Sequence, residues 1–509
     1  MRVLTAAQMR EADKFTIEKK GIPSLTLMEN AGIALANESQ KLAPEGEILI
    51  VCGSGNNGGD GFVCARILKE KGRSVTVFAL SKGKSDDCQV NRAKWLDMEG
   101  DIVYSVADTK YALIVDCLFG TGFHGALEGE EKSAVAWINQ AKKEGAKVLS
   151  ADIPSGVNGE NGQVDGIAVQ ADYTLCIGEV KSGVLLGDGL DYAGKILRAD
   201  IGIVLPKDVY ADLTDEGTAK ALLPARIRNS NKGSYGRAAI VAGSLEYTGA
   251  AYLAASACLR SGAGYTTLFT PNDLIPMYAL KAPEILLKGT NKGGRYAFKA
   301  DTMQELLSYD SIAYGMGMGI SEEVFKGAAY LLSRYEGRLI IDADGLNSLA
   351  AFADDLPFLL ANRKCDVVLT PHAREFSRMS GIPVCDILEK SMEYATGFAR
   401  KSGVALLLKN ALSVLTDGEK IVLNATGNSG QAKGGSGDAL AGVIAGLCAQ
   451  SLTAFDGARL ASYLVGKSAE LAAKDFGEYS MTASEIIAYL PKAFLLIAEY
   501  AGVDGGGNK

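Results

Sequence analysis

Two aspartates, Asp116 and Asp152, each end an apolar run and each open a turn-rich segment. The segments are Asp116-Cys117-Leu118-Phe119-Gly120-Thr121-Gly122-Phe123-His124-Gly125 and Asp152-Ile153-Pro154-Ser155-Gly156. A carboxylate at a strand end points into a poorly solvated crevice. It can brace a loop or cap a helix, or it can bind a cation or carry a proton. Upstream lies Gly53-Ser54-Gly55-Asn56-Asn57-Gly58-Gly59-Asp60-Gly61, between the apolar run Ile48 to Val51 and the helical pattern Phe62 to Leu68. A strand, a glycine loop and a helix start leave bare N–H groups that favour phosphate. Glycines there are expected to take positive φ and let a ligand approach closely. Far downstream, Gly434-Gly435-Ser436-Gly437-Asp438 repeats the device and adds a carboxylate. Asp438 stands where it can accept a proton from a hydroxyl attacking a phosphoryl group. Two such loops imply two phosphate-bearing ligand sites, and two aspartates facing glycine loops favour cation binding and proton transfer over bracing.

Other strand ends carry polar or glycine-rich groups: Gly315-Met316-Gly317-Met318-Gly319, Asp342-Ala343-Asp344-Gly345-Leu346-Asn347, Thr370-Pro371-His372 and Lys409-Asn410-Ala411. Gly178-Glu179-Val180-Lys181-Ser182-Gly183 is a weaker candidate. Ser261-Gly262-Ala263-Gly264-Tyr265 follows a helical pattern and leads into the next strand-like run. Met316 and Met318 are equally readable as core filler, and His372 as a satisfied core histidine. No GxxxxGK[ST] motif precedes the second loop, which excludes a P-loop enzyme. Gly53, Gly55 and Gly58 meet part of the dinucleotide fingerprint, but Ala79 to Lys82 supply no acid for the ribose. An ordinary NAD dehydrogenase is therefore disfavoured.

The elements that must position these groups alternate between strand and helix. Strand-like runs fall at 48–53, 75–80, 111–118, 147–151 and 173–177, with helical patterns at 59–71, 87–99 and 132–144. Thr5 and Gln8 have capping-box spacing for a helix to Lys19. A break at 215–225 precedes further strands at 238–243, 265–270, 311–315, 338–342, 366–370 and 404–408. A hairpin around Asp417-Gly418 and a helical tail from Asp438 follow. The C-terminal Gly505 to Lys509 is expected to be disordered. Length alone allows about three domains, and the alternation favours two large α/β domains with parallel sheets. The net charge of −8 without a basic stripe argues against nucleic acid, and no apolar run is long enough for a membrane span. Nine scattered cysteines without a CxxC pair, and only two histidines, argue against zinc and disulfides. They suit a cytoplasmic protein with small buried thiols.

GSGNNGGDG, DCLFGTG and DIPSGV, with TAAQMREAD and Met28-Glu29-Asn30-Ala31-Gly32 before them, resemble the YjeF N-terminal family of NAD(P)H-hydrate epimerases over residues 1–215. The resemblance implies a Rossmann-like α/β/α sandwich that interconverts the R and S hydrates NADHX and NADPHX. Asn56, Asn57, Gly58, Gly59 and Asp60 would bind substrate, as would Gly120, Thr121, Gly122, Phe123, His124, Gly125 and Ala126. Asn57, Asp116 and Ser155 would bound a potassium ion, and Asp152 would be the acid/base residue. NKGSYGRAAIVAGS, DADGLNSL, LTPHAREFSRM and KGGSGDALAG resemble the ribokinase-like ADP/ATP-dependent NAD(P)H-hydrate dehydratases over residues 225–500. Ala373-Arg374, Asn428 to Lys433 and Ser436 depart mildly from that family's pattern. The resemblance implies substrate at Ala263, Gly317, His372 and Asp438, nucleotide at Lys409, Asn410, Ala411, Leu412, Ser413 and Gly437, and Mg²⁺ with ADP or ATP. Asp438 would be catalytic, and a homo-oligomer is expected. The alternatives are a vitamin or sugar kinase with a regulatory N-terminal domain, or a scaffold role for residues 1–215.

Overall fold

A computed structural model describes residues 1–80, 83–105, 110–206 and 211–498. The expected disorder of Gly505 to Lys509 lies outside them, as do Ser81 and Lys82 of the stretch Ala79 to Lys82. The chain divides into two compact units, Met1–Ala211 and Asp212–Lys509. The division falls just before the expected 215–225 break. Asp215 caps the helix Glu216–Leu222, and Ala219 of that helix packs into the core of the second unit.

The first unit is built on seven parallel strands. Their order is Ile102–Val103, Val75–Ala79, Ile48–Cys52, Leu113–Cys117, Lys147–Ala151, Tyr173–Ile177 and Lys195–Ala199. Alternate residues serve opposite faces, as the strand period requires. Ile48, Ile50 and Cys52 join one core, and Leu49 and Val51 the other. The strand order reverses between Ile48–Cys52 and Leu113–Cys117, so the crevice opens beyond the carboxyl ends of these two strands. The Gly53–Gly55 turn, the start of the helix Asn56–Glu70 and Asp116 stand there, so the expected Gly53–Gly61 loop is helical from Asn56 onward. The strands Lys195–Ala199 and Ile102–Val103 lie at the two sheet edges and are half-exposed, so their hydrophobic signal is weak. Thr5 forms the expected capping box with Gln8 and starts the helix Ala6–Lys20.

The second unit repeats the plan. Its strands run Leu286–Gly289, Tyr265–Thr270, Arg237–Val241, Ser311–Tyr314, Arg338–Ile341, Asp366–Leu369 and Ala405–Leu408, all parallel. The hairpin Ser413–Thr416 and Ile421–Asn424 continues the sheet antiparallel. Its turn has four residues, with the Asp417 side chain accepting from the N–H groups of Glu419 and Lys420. The helix Ser436–Ala449 is buried from Ala439 to its end. Gly442 and Gly446 let it press against the backbone of the helix Thr248–Arg260 at Ala254 and Cys258. This fixes the direction in which Asp438, in its first turn, faces.

The glycines of the first loop act by a different means than expected. None of Gly53, Gly55, Gly58, Gly59 or Gly61 has positive φ. A side chain on Gly53 would overlap the Leu118 carbonyl, one on Gly58 the Gly53 carbonyl, and one on Gly59 the Met28 thioether. Their smallness lets the helix start sit directly on the strand ends. Gly58→Ala should therefore destabilise the first unit by about 1–3 kcal/mol. Gly55→Ala, with nothing within 4 Å of the new methyl, should cost far less. Thermal melting of the two variants side by side checks this.

Candidate active sites

In the first unit, Asp116 ends its strand fully buried. Its carboxylate accepts from Ser150 Oγ (2.8 Å), Ser155 N (2.9 Å), Ser155 Oγ (2.6 Å) and Leu118 N (3.3 Å). Burial pushes its pKa up, and the hydrogen bonds from Ser155, Ser150 and Leu118 oppose that. Asn57 stands nearby. Its Nδ2 donates to the carbonyls of Phe119 (2.9 Å) and Ala151 (3.2 Å). That fixes the direction of its Oδ1, which is buried and has no hydrogen-bond partner. An orphaned amide oxygen beside a carboxylate and a serine hydroxyl is a donor set suited to a cation with oxygen ligands.

Asp152 follows the next strand in the left-handed region at φ 71°, which for a non-glycine residue marks a strained position. Oδ1 accepts from Ile177 N (3.1 Å) and from the ammonium of Lys181, which also donates to the Ile177 carbonyl. Oδ2 lies 3.5 Å from where a Cβ on Gly120 would stand, and the Cβ of Asn57 is 3.6 Å from the same point. Gly120, Asn57 and Asp152 thus meet at one place. Two further carboxyls belong to this cluster. Burial drives Asp60 well above the ordinary aspartate value, with Asp152 adding to the effect. Burial lifts Asp13, on the N-terminal helix, to about 6 against the pull of Lys181.

Of the residues expected at the phosphate loop, Asn56 is exposed at the uncapped helix start, while Asn57, Gly58, Gly59 and Asp60 are buried behind it. Gly122, His124, Gly125 and Ala126 are exposed, and Thr121 and Phe123 are half-buried. Phe123 packs against Phe119 with ring centroids 5.1 Å apart. The sequence singled out neither Lys181 as a partner of Asp152 nor Asp13. The available signal was a lysine in the turn-rich segment Gly178 to Gly183, directly after the apolar run 173–177.

In the second unit the groups gather at the carboxyl ends of Arg338–Ile341, Asp366–Leu369 and Ala405–Leu408. Lys409 Nζ is 2.7 Å from Asp342 Oδ1, and the Asp342 side chain is 2% exposed. Ala343, next in the chain, has φ 50°. A Cβ on Gly437 would stand 3.2 Å from Lys409 Nζ and 3.6 Å from Asp342 Oδ2, so the anion loop lies directly against the ion pair. Burial, reinforced by Asp342 and opposed by Lys409, raises Asp438 to about 6. Burial works against the Lys409 ammonium, yet Asp342, Glu375 and Asp438 hold its pKa above the ordinary lysine value. Ser436 Oγ, in the same loop, is buried without a partner.

His372 is half-exposed and caps the helix Ala373–Ser380. Its Nδ1 accepts from Arg374 N (3.1 Å) and Glu375 N (3.3 Å). Glu375 returns the bond to His372 N at 2.9 Å. Burial and Lys409 lower the imidazole's pKa. Lys409 N donates to Pro371 O at 2.9 Å, which ties the His372 and Lys409 segments together. In the expected nucleotide segment, Asn410 and Ala411 are exposed, Ser413 is half-buried and Leu412 is buried. Met316 and Met318 are core residues, while Gly315, Gly317 and Gly319 all have positive φ. A Cβ on Gly317 would stand 2.7 Å from Tyr247 Cβ and 2.8 Å from Ala250 Cβ.

Ala263 is a correction. It precedes the strand Tyr265–Thr270 and so lies at the amino end of the sheet, half-buried against the core. Gly317, His372 and Asp438 lie at the carboxyl end. The small residue that accompanies Gly317 is Ala250.

Two family models match the chain, one described as YjeF-related protein N-terminus over residues 24–183 and one as NAD(P)H-hydrate dehydratase over residues 238–492. The chain is 34% identical to the bifunctional NAD(P)H-hydrate repair enzyme Nnr of Moorella thermoacetica, over 96% of each. It is 33% identical to the enzyme of the same name from Thermofilum pendens, over 98% of this chain and 97% of that one. Among solved structures, the ADP/ATP-dependent NAD(P)H-hydrate dehydratase from Bacillus subtilis, co-crystallized with ATP/Mg²⁺, is 31% identical. The match has a TM-score of 0.50 and covers 56% of this chain and 99% of that one.

The Asp342–Lys409 pair gives a test that needs no substrate. Lys409→Met leaves a buried carboxylate without its counter-charge and should destabilise the second unit by about 3 kcal/mol. Asp342→Asn combined with Lys409→Met should recover much of that loss, as read by chemical denaturation.

Proposed function

Since this chain belongs to the family of bifunctional NAD(P)H-hydrate repair enzymes, we propose that its first unit epimerises the R and S hydrates of NADH and NADPH. Its second unit dehydrates the S form with ADP or ATP as phosphoryl donor. The observation that carries the reading is Asp438, set in the first turn of a buried helix beside the Lys409–Asp342 pair. Its carboxylate takes the proton of the C6 hydroxyl, and the nucleotide's terminal phosphoryl group moves to that oxygen. Hydroxide is a poor leaving group and phosphate a good one, so the phosphorylated carbon loses phosphate as the ring nitrogen lone pair pushes. Loss of a proton from C5 then restores the dihydropyridine. Lys409 faces the anion loop and supplies a fixed positive charge where phosphoryl oxygens gather. Mg²⁺ would be carried by the phosphate oxygens of the donor and would offset their charge there.

In the first unit, Asp152 would move protons to and from the C6 oxygen, and the uncapped N–H groups at Asn56 would receive the phosphates. The unpartnered Asn57 Oδ1, with Asp116 and Ser155, supports a potassium site. A bound K⁺ would supply positive charge beside the substrate. We place the enzyme in a reducing compartment such as the cytoplasm, since all nine cysteines are free and eight are buried. No helix among the described residues is long and apolar enough to cross a membrane.

Asp438→Asn should abolish recovery of NADH from the S hydrate with ADP while leaving epimerisation intact. A near wild-type rate would overturn the assignment. In the wild type the base must be ionised, and its raised value sets the acid limb of kcat/KM for dehydration near pH 6, above the ordinary aspartate range near 4. Asp152→Ala should stop recovery at about half when R and S hydrates start equal and spontaneous exchange is slow. Complete recovery at the wild-type rate would exclude Asp152. Absorbance of the reduced nicotinamide band reads recovery in all three cases, and chromatographic separation of the R and S hydrates reads epimerisation in Asp438→Asn.

A further inference from the structure

We propose that Lys181 is a positioning residue for the first unit's reaction. Its ammonium holds Oδ1 of Asp152, so that Oδ2 alone is presented on the Gly120 side of the crevice. The inference rests on the epimerase reading of that unit.

The geometry is a three-part clasp. Ile177 ends the strand Tyr173–Ile177, and its backbone grips both charged groups. Its N–H donates to Asp152 Oδ1 (3.1 Å), and its carbonyl accepts from Lys181 Nζ. The ammonium closes the ring by donating to the same Oδ1. A carboxylate whose one oxygen receives two donors from fixed backbone and a fixed ammonium cannot rotate, so the remaining oxygen has one direction. That direction is toward Gly120 and Asn57, where the other candidate residues meet. The left-handed backbone of Asp152 is part of the same arrangement, because Asp152 N donates to Leu175 O (2.8 Å) on the same neighbouring strand.

A lysine is a costly choice for a mere brace here. Its side chain is 2% exposed, and an ammonium removed from water must be paired. The pocket has more negative groups than one pair needs. Asp13 and Asp60 face it from two helices, Cys176 lies beneath it, and Asp87 and Glu179 stand further out. With several carboxyls near one cation, the short clasp through Ile177 selects Asp152 as the partner. Lys181 is itself held, because Val180–Lys181 pairs in parallel with Arg2–Leu4, with Leu4 opposite Lys181.

The test follows R-to-S conversion of purified R-NADHX by chromatography, using the full chain without nucleotide so that the second unit is idle. Lys181→Met should lower kcat by about 10²-fold, the scale expected when a catalytic group is misplaced, with KM little changed. Asp152→Asn combined with Lys181→Met should be no slower than Asp152→Asn alone, because Lys181 acts only through Asp152. Lys181→Ala should regain activity with added n-propylammonium, which replaces the missing side chain, and melting curves with and without the amine separate rescue of chemistry from rescue of folding. A Lys181→Met variant that keeps the wild-type rate, or a double variant whose losses multiply, overturns the proposal. If Lys181→Met does not fold, the double variant, which removes both charges together, decides. Absence of conversion by the wild type would instead overturn the epimerase reading itself.

Discussion

An aspartate at a parallel-strand end, paired with a buried or half-buried lysine, is the constraint on which each half of this chain depends. In the first unit Asp152 meets Lys181, and in the second Asp342 meets Lys409. Parallel sheets direct their ligands to the carboxyl ends of the strands, and that is where backbone groups give out and charges must find other partners. Both units solve the problem in the same way. A lysine beyond another strand end, the next strand in the first unit and the next but one in the second, neutralises the aspartate, and a non-glycine residue with positive φ, Asp152 in one and Ala343 in the other, accompanies the turn. Only four non-glycine residues among those described have positive φ, so two of the four mark the candidate sites.

The two pairs are used differently. In the first unit the paired aspartate is the proposed proton carrier. In the second it holds the lysine, and the proposed proton carrier, Asp438, comes from a separate helix whose glycine-rich flank packs into the core. The first arrangement restrains a base by direct contact. The second builds a field: burial above all, reinforced by Asp342 and opposed by Lys409, lifts the Asp438 carboxyl to about 6. A base of that strength is ionised at neutral pH yet basic enough to draw a proton from an alcohol as phosphate arrives.

Much of this was legible in the residues. Strand ends bearing Asp116, Asp152, Asp342, His372 and Lys409 declared themselves, because buried strands are apolar and a charge at the end of one interrupts the pattern. The edge strands Lys195–Ala199 and Leu286–Gly289 did not, because half-exposed strands carry a mixed pattern. The glycines of the first loop were legible as necessary, but the reason differed: they remove bulk between backbones and do not reverse φ. The partner of Asp152 was not legible, since Lys181 lies 29 residues away and its burial depends on the N-terminal strand. Ala263 was misplaced for a reason that strand direction supplies: a loop before a parallel strand is at the amino end, away from ligands.

The pairing of Leu4 with Lys181 has a consequence for how the enzyme is made. The strand Arg2–Leu4 leaves the ribosome before its partner, which follows some 177 residues later, after six of the seven central strands. Long-range pairings of this kind form late, because loop closure must precede them. On the reading proposed for Lys181, the clasp around Asp152 is complete only once Arg2–Leu4 has met Val180–Lys181, so the site's geometry is a late product of folding.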